Sequence, residues 1–315
     1  MSQTTSNSRQ LERVEIARRI SSIERGNWLA AADTPGPPRR SRVIGITGVP
    51  GSGKSTLVDA LVALYRKASD RVAVIAVDPS SPVTGGALLG DRVRMNRHAS
   101  DEAVFIRSMG SRGRMDGLGP AVQDSCRLLT HRGYDPVLIE TVGVGQVELG
   151  VVACSDIRVL VLAPAWGDYV QAAKAGLIEM VDLVVINKSD LPGAANLLSD
   201  IADALRHRSG PPIRVVGATA TQGENGVGAV HDAIEEIWQG FGQEGLRRRR
   251  LDALASEMHS RAIAAFSGGP MQQAVNDGVA MRLAESVYAG TATAADAAKT
   301  LLRDAVQQAK PDSNA

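Results

Sequence analysis

Apolar residues along this chain change their spacing twice. Over 9–32, Leu11, Val14, Ile16, Ala17, Ile20 and Ile23 recur at near-helical intervals, which predicts a helix. Pro35, Pro37 and Pro38 then break the chain. From Arg42 onward, short β-branched runs alternate with longer helical stretches. The runs predict strands at 42–47, 72–77, 103–107, 136–141, 158–163, 182–187 and 213–217. The helices between them fall near 54–68, 117–132, 145–153, 168–180, 194–208 and 225–239. Apolar strands separated by crossover helices imply an α/β fold, a mainly parallel sheet covered on both faces. After Gly245 the strand pattern stops, and an Ala-rich tail predicts helices near 246–266, 271–288 and 294–308, the last capped by Thr291 or Thr293. The expected organisation is an N-terminal helical arm and linker (1–41), a core domain (42–240) and a C-terminal helical extension (241–315).

Composition narrows the function classes. The 35 basic and 34 acidic residues leave a net charge of +1, which argues against a strongly basic nucleic-acid binder. Aromatic residues make up 3% of the chain, too few for a base-stacking surface. No run of 18 apolar residues suggests a membrane span, and Met1–Ser8 lacks the pattern of a signal peptide. Cys126 and Cys154 lie in no CxxC motif, so neither a disulfide scaffold nor a zinc site is expected, and a cytoplasmic location fits.

The first chemical motif follows the first strand. Gly48-Val49-Pro50-Gly51-Ser52-Gly53-Lys54-Ser55, then Thr56, reads G-x-x-x-x-G-K-S between a strand and a helix. This is the phosphate loop of P-loop NTPases. Its glycines let backbone N–H groups turn toward an anionic phosphate, and the following helix N-terminus adds its dipole. Lys54 is expected to reach the β and γ oxygens, and Ser55 to offer its hydroxyl to Mg²⁺. Only six of the 35 basic residues are lysines, so a lysine retained here supports a specific need.

The second motif selects the base. Leu183–Ile186 runs into Asn187-Lys188-Ser189-Asp190, the N-K-x-D of GTPases. Asp190 can accept from guanine N1–H and the 2-amino group together. Adenine offers neither donor, and an unpaired carboxylate is costly. The stem of Lys188 is expected to cover the base, and Asn187 to tie this loop to the phosphate loop. Thr219 and Ala220, after the last strand, occupy the place of a loop that closes over guanine O6.

Carboxylates for a metal also fall at or beyond strand ends, where open α/β sheets bind ligands. Asp78, Asp91 and Glu140 are the candidates, with Ser55 as hydroxyl partner. Mg²⁺ uses one or two carboxylates and keeps several waters, so at least one of the three is expected to act at a remove. Glu140-Thr141-Val142-Gly143 stands where most GTPases have D-x-x-G, and the Gly143 amide is expected to touch the γ-phosphate. Gln146 is a solvated helix-start residue or a water-orienting one. Lys54, Glu140 and Gly143 form the expected catalytic set. Arg92, Arg94, Arg107 and Arg112 are candidate fingers, each also readable as a surface ion pair. The Arg247–Arg250 run reads as a solvated helix face, with an acidic partner as the other reading.

Five stretches together, GVPGSGKST (48–56), VDPSSPVTGGALLGDRVRM (77–95), FIRSMGSRG (105–113), ETVGVGQVE (140–148) and VVINKSD (184–190), resemble the MeaB/ArgK family. These are methylmalonyl-CoA mutase-associated GTPases of the class with Glu in the third motif. The resemblance covers roughly 42–240. It implies a P-loop GTPase that binds GTP, GDP and Mg²⁺, forms a homodimer through C-terminal helices, and gates cofactor loading or removal on an adenosylcobalamin-dependent acyl-CoA mutase. It implies switches at 77–95 and 140–150, and a third carrying Asp168, Gln171 and Lys174. Within that third segment Tyr169, Val170 and Ala175 depart from the family's G-D-E-L-Q-G-I-K-K-G, and Asp116 departs from its L-G-G. Those departures bear on which mutase is the client and how strongly it couples. The rival readings are a metallochaperone GTPase, against which stands the absence of a Cys/His cluster, and an ATP-dependent kinase or transport ATPase, against which stands N-K-x-D.

Overall fold

Seven apolar runs pair into one parallel sheet in the computed structural model: β1 (Val43–Thr47), β2 (Val72–Asp78), β3 (Val104–Gly110), β4 (Val137–Thr141), β5 (Ile157–Leu162), β6 (Leu183–Ile186) and β7 (Arg214–Gly217). Their order is β3-β2-β4-β1-β5-β6-β7, with every pairing parallel. The helices are α1 (Ser2–Glu24), α2 (Lys54–Lys67), α3 (Pro120–His131), α4 (Ala194–Arg206), α5 (Glu224–Gly240), α6 (Gly242–Gly268) and α7 (Val279–Tyr288). The structure describes residues 2–25, 41–68, 70–78, 96–98, 100–110, 120–141, 154–164, 177–206, 211–268 and 279–288, with a few isolated positions besides.

All seven strands lie on the runs expected of them, because strands covered on both faces read as near-continuous apolar runs. Every residue of β1, β4 and β6 is buried. Successive side chains point to opposite faces. Ile44, Ile46, Val74, Leu138, Val159 and Val161 therefore pack on one side, with Leu57 and Leu61 of α2 and Val227 and Ile234 of α5. Ala73, Ile75, Val137 and Ile139 pack on the other, with α1 and α3. Leu160, Leu162, Val184 and Ile186 continue that second face, with Ile201 of α4 and the short turn Leu177–Met180.

Two local results differ from the sequence reading. The first concerns α1, read as an arm. It buries Ile16, Ile20 and Ile23, one stripe at i, i+4 and i+7, within the core on the second face. Leu11 and Val14 lie off that stripe, at 67% and 45% exposed. Ion pairs flank the stripe: Glu12 with Arg71 at 2.9 Å and Glu15 with Arg132 at 2.8 Å.

Second, the Arg247–Arg250 run is not a uniformly solvated face. Arg250 grips Asp156 at 2.8 and 2.7 Å, and Arg249 grips Asp182 at 3.0 and 2.5 Å. Both carboxylates also accept backbone N–H bonds, Asp156 from Val43 and Asp182 from Arg158. The start of α6 is thereby pinned to the amino edge of the sheet, while Arg247 stays exposed beside Glu244. The Thr291 hydroxyl donates to Ser286 O at 3.0 Å, just beyond the end of α7, while Thr293 and the expected start of the last helix lie outside the described residues.

Two compact units emerge, Met1–Arg250 and Leu251–Ala315. The second contains the rest of α6 and all of α7. Most of each expected helix at 145–153, 168–180 and 294–308 lies outside the described residues. Both cysteines are free, and burial pushes the Cys126 thiol well above its ordinary pKa. Among the described residues no helix is long and apolar enough to cross a membrane.

Ile20→Ala is expected to destabilise the folded protein by about 2–5 kcal/mol through a core cavity. Leu11→Ala, on the same helix, is expected to stay within about 0.5 kcal/mol. Urea unfolding of the two variants beside the unaltered protein checks this.

Candidate functional site

Strand order puts the chemistry together. β1 and β4 are neighbours, and Ile46 is registered with Glu140. The loop leaving β1 therefore turns into α2 beside the carboxyl end of β4, where strand order reverses and an open α/β sheet leaves a crevice.

Gly48–Ser55 forms that loop. Gly53 closes it at φ 89°. A Cβ on Gly53 would lie 2.3 Å from Asn187 Nδ2, so only glycine fits. No side chain caps the N-terminus of α2, and its first turn has no acidic residue. An anion would supply the negative charge that this end lacks. Lys54 is 6% exposed, and its ammonium donates to Gly48 O at 2.7 Å and Val49 O at 3.0 Å. The lysine thus folds back over the loop. Pro50, Gly51 and Thr56 are exposed around it, and Ser52 is buried.

Ser55, in the first turn of α2, donates its hydroxyl to Glu140 Oε1 at 2.5 Å. Glu140 is 3% exposed. A hydroxyl and a carboxylate oxygen are hard donors of the kind Mg²⁺ takes, so the pair fits that ion by its chemistry. Asp78 ends β2, one strand beyond β4 on the same carboxyl edge.

On the other side of β1, β6 delivers the second loop. Asn187 is 2% exposed and bonds in two directions. Its Nδ2 donates to Ser52 O at 2.8 Å, and its Oδ1 accepts from Ala220 N at 3.1 Å. One amide therefore joins the phosphate loop, the N-K-x-D turn and the loop after β7. Lys188 adopts φ 58°, a left-handed conformation that costs a non-glycine residue about 1–2 kcal/mol. Its Nζ reaches across to Gly51 O at 2.8 Å. Asp190 is exposed beside this bridge. Thr219 N donates to Gly226 O at 3.0 Å, which holds the third loop against the start of α5.

The family described as methylmalonyl Co-A mutase-associated GTPase MeaB matches residues 32–265. This chain belongs to that family. The match spans most of the sheet and the start of the C-terminal helices, and it makes the chain a GTPase by family. A protein of Pyrococcus abyssi classed by name among GTPases is 42% identical over 75% of this chain and 74% of its own length. GTPase ArgK of Escherichia coli is 48% identical over 47% of this chain and 44% of its own length, so that likeness spans under half of each. A solved structure of an LAO/AO transport system kinase superposes with a TM-score of 0.66 at 24% identity, over 96% of this chain and 97% of that one, which supports the fold.

In this family member the described residues bring together Gly48–Thr56, Glu140, Asn187, Lys188, Asp190, Thr219 and Ala220. Asp91, Gly143, Gln146, Asp168, Gln171, Lys174, Arg92, Arg94 and Arg112 lie outside the described residues. Arg107 is described, and it is not aimed at the loop. Its guanidinium pairs with Glu24 and donates to Ser21 Oγ, which spends it on anchoring α1.

Two groups escaped sequence reasoning. Asp59 of α2 pairs with Arg97 at 2.7 Å, and His98 Nε2 lies 3.1 Å from the same carboxylate, a cluster that sequence distance hides. Ser189 was the unspecified position of N-K-x-D, yet its hydroxyl makes two backbone bonds.

Asn187→Ala is expected to destabilise the protein by about 1–3 kcal/mol, because Ser52 O and Ala220 N lose a buried partner. Urea unfolding without nucleotide isolates that cost from any effect on binding.

Proposed function

We propose that this chain binds and hydrolyses GTP at the carboxyl edge of β1, β4 and β6, and uses the cycle in the cytoplasm to gate an adenosylcobalamin-dependent acyl-CoA mutase of the methylmalonyl-CoA type. The observation that carries the nucleotide half is the pair of hydrogen bonds made by the Asn187 amide. It sets an N-K-x-D turn against a phosphate loop within one unit. The mutase half rests on the family's description.

In this reading the amides of Gly48–Thr56 cradle the phosphates. Lys54 exchanges its two carbonyl partners for β and γ oxygens as nucleotide enters. Ser55 and Glu140 hold Mg²⁺, with Asp78 and Asp91 as further carboxylates. When bound, that ion neutralises charge developing on the phosphate oxygens. Asp190 accepts from the guanine N1–H and 2-amino group, Lys188 covers the base, and Thr219 and Ala220 close over O6. Gly143 senses the γ-phosphate. Asp168, Gln171 and Lys174 carry the signal to the client, and 241–315 forms the homodimer contact.

Lys54→Ala removes the cation that stabilises transition-state charge, so GTP turnover is expected to fall about 100–1,000-fold. Phosphate release from GTP under excess Mg²⁺ measures this, and equal rates would remove Lys54 from the mechanism. The client is tested by pull-down from the native host's lysate. Tagged protein is loaded with Mg²⁺ and a non-hydrolysable GTP analogue, with GDP as control. A cobalamin-dependent mutase subunit retained in a nucleotide-dependent way supports the gating role. Recovery of a different protein alone would leave only the GTPase half standing.

A further inference from the structure

The x of N-K-x-D is not a spacer here. The Ser189 hydroxyl donates to Ile186 O at 2.7 Å, at the end of β6, and accepts from Ala218 N at 3.0 Å, in the loop after β7. The backbone repeats the join, since Ser189 N donates to Ala218 O at 2.9 Å. Ala218 N also reaches Ile186 O at 2.8 Å. Ser189 therefore closes a small ring between the turn that carries Asp190 and the loop that carries Ala220. The ring lies one residue from the group expected to read guanine N1 and N2, and two residues from the amide expected to face O6.

The approach is close enough to constrain the neighbouring strand. A Cβ on Gly217, the last residue of β7, would meet Ser189 Oγ at 2.9 Å and Leu198 at 3.6 Å. That first distance is shorter than side-chain carbons tolerate, so the absence of a side chain at Gly217 is what lets the hydroxyl reach across. The second join between these loops, Asn187 to Ala220, lies deeper and is buried. Asn187 orders the loops against the phosphate loop, whereas Ser189 orders them against each other.

We propose that Ser189 is a positioning residue for guanine specificity: its hydroxyl sets the separation between Asp190 and the 218–220 loop. The inference deepens the GTPase reading and rests on it. Ser189 touches no reacting atom. Its effect falls on the geometry with which Asp190 meets the 2-amino group, and that is the group in which guanine differs from hypoxanthine.

The test compares GDP with inosine diphosphate, which lacks only the 2-amino group. Displacement of a fluorescent GDP analogue gives both affinities for the unaltered protein, Ser189→Ala, Ser189→Thr and Gly217→Ala. Removing one well-placed polar partner changes an equilibrium by about five- to tenfold, so Ser189→Ala is expected to lower the GDP-to-IDP affinity ratio by about that factor. Ser189→Thr keeps the hydroxyl and is expected to restore the ratio. Gly217→Ala, which displaces the hydroxyl without deleting it, is expected to lower the ratio as Ser189→Ala does. General destabilisation would weaken both ligands in parallel and leave the ratio unchanged, and that outcome overturns the proposal. An unchanged ratio in Ser189→Ala with a folded protein also overturns it. If the unaltered protein binds GDP and IDP alike, the 2-amino group is not read, and the role of Ser189 falls with it, whereas the choice of guanine over adenine through N1–H is untouched.

Discussion

One buried amide holds the site together. Asn187 has a donor and an acceptor on the same planar group, and the fold uses them on opposite sides. Ser52 O belongs to the phosphate loop after β1, and Ala220 N to the loop after β7, three strands along the sheet. A side chain able only to donate or only to accept could not join both. Gly53 leaves the space that the amide occupies, and Lys188 takes a left-handed turn so that its ammonium can cap Gly51 O. The local strain at Lys188 is offset by hydrogen bonds on either side of it.

The sheet makes that arrangement possible from below. Its amino edge is fastened by Asp156 and Asp182, which accept from strand N–H groups and pair with Arg250 and Arg249. Such charged, bidentate bonds are stronger than neutral ones. Arg42, at the entry to β1, is hydrogen-bonded to Asp135 and paired with Asp70 and Glu235. The carboxyl edge carries the opposite character, with glycines, a helix end without a side-chain cap and a lysine that donates to two loop carbonyls. Rigidity gathers at one edge, and groups able to exchange partners gather at the other.

Much of this was legible in the amino-acid sequence. Burial of the central strands on both faces leaves near-continuous apolar runs, so all seven could be read without their order, although Arg107, Arg158 and Arg214 interrupt three of them. The phosphate loop and N-K-x-D were readable because backbone geometry and base chemistry leave few alternatives at those positions. Long-range side-chain pairing was harder. Four consecutive arginines look solvated until two of them meet carboxylates 67 and 94 residues away. Arg107 was readable as a finger or as a surface ion pair, and nothing local marks Glu24 as its partner. The α1 stripe was visible, but periodicity alone does not say whether a helix packs on its own domain. Ser189 was passed over because a motif with an open position discards whatever that position does.

The central claim is that a phosphate cradle and a guanine reader form one pocket through Asn187 and Asp190. Isothermal titration of the unaltered protein with Mg²⁺ and either GDP or ADP tests it most directly. A site built to hydrogen-bond a donor rejects an analogue lacking it by a factor on the order of 10⁴, and the account predicts that GDP binds more tightly than ADP by a margin of that order. Equal affinity for the two would contradict it, leaving the phosphate loop intact and Asp190 without a role in choosing the base.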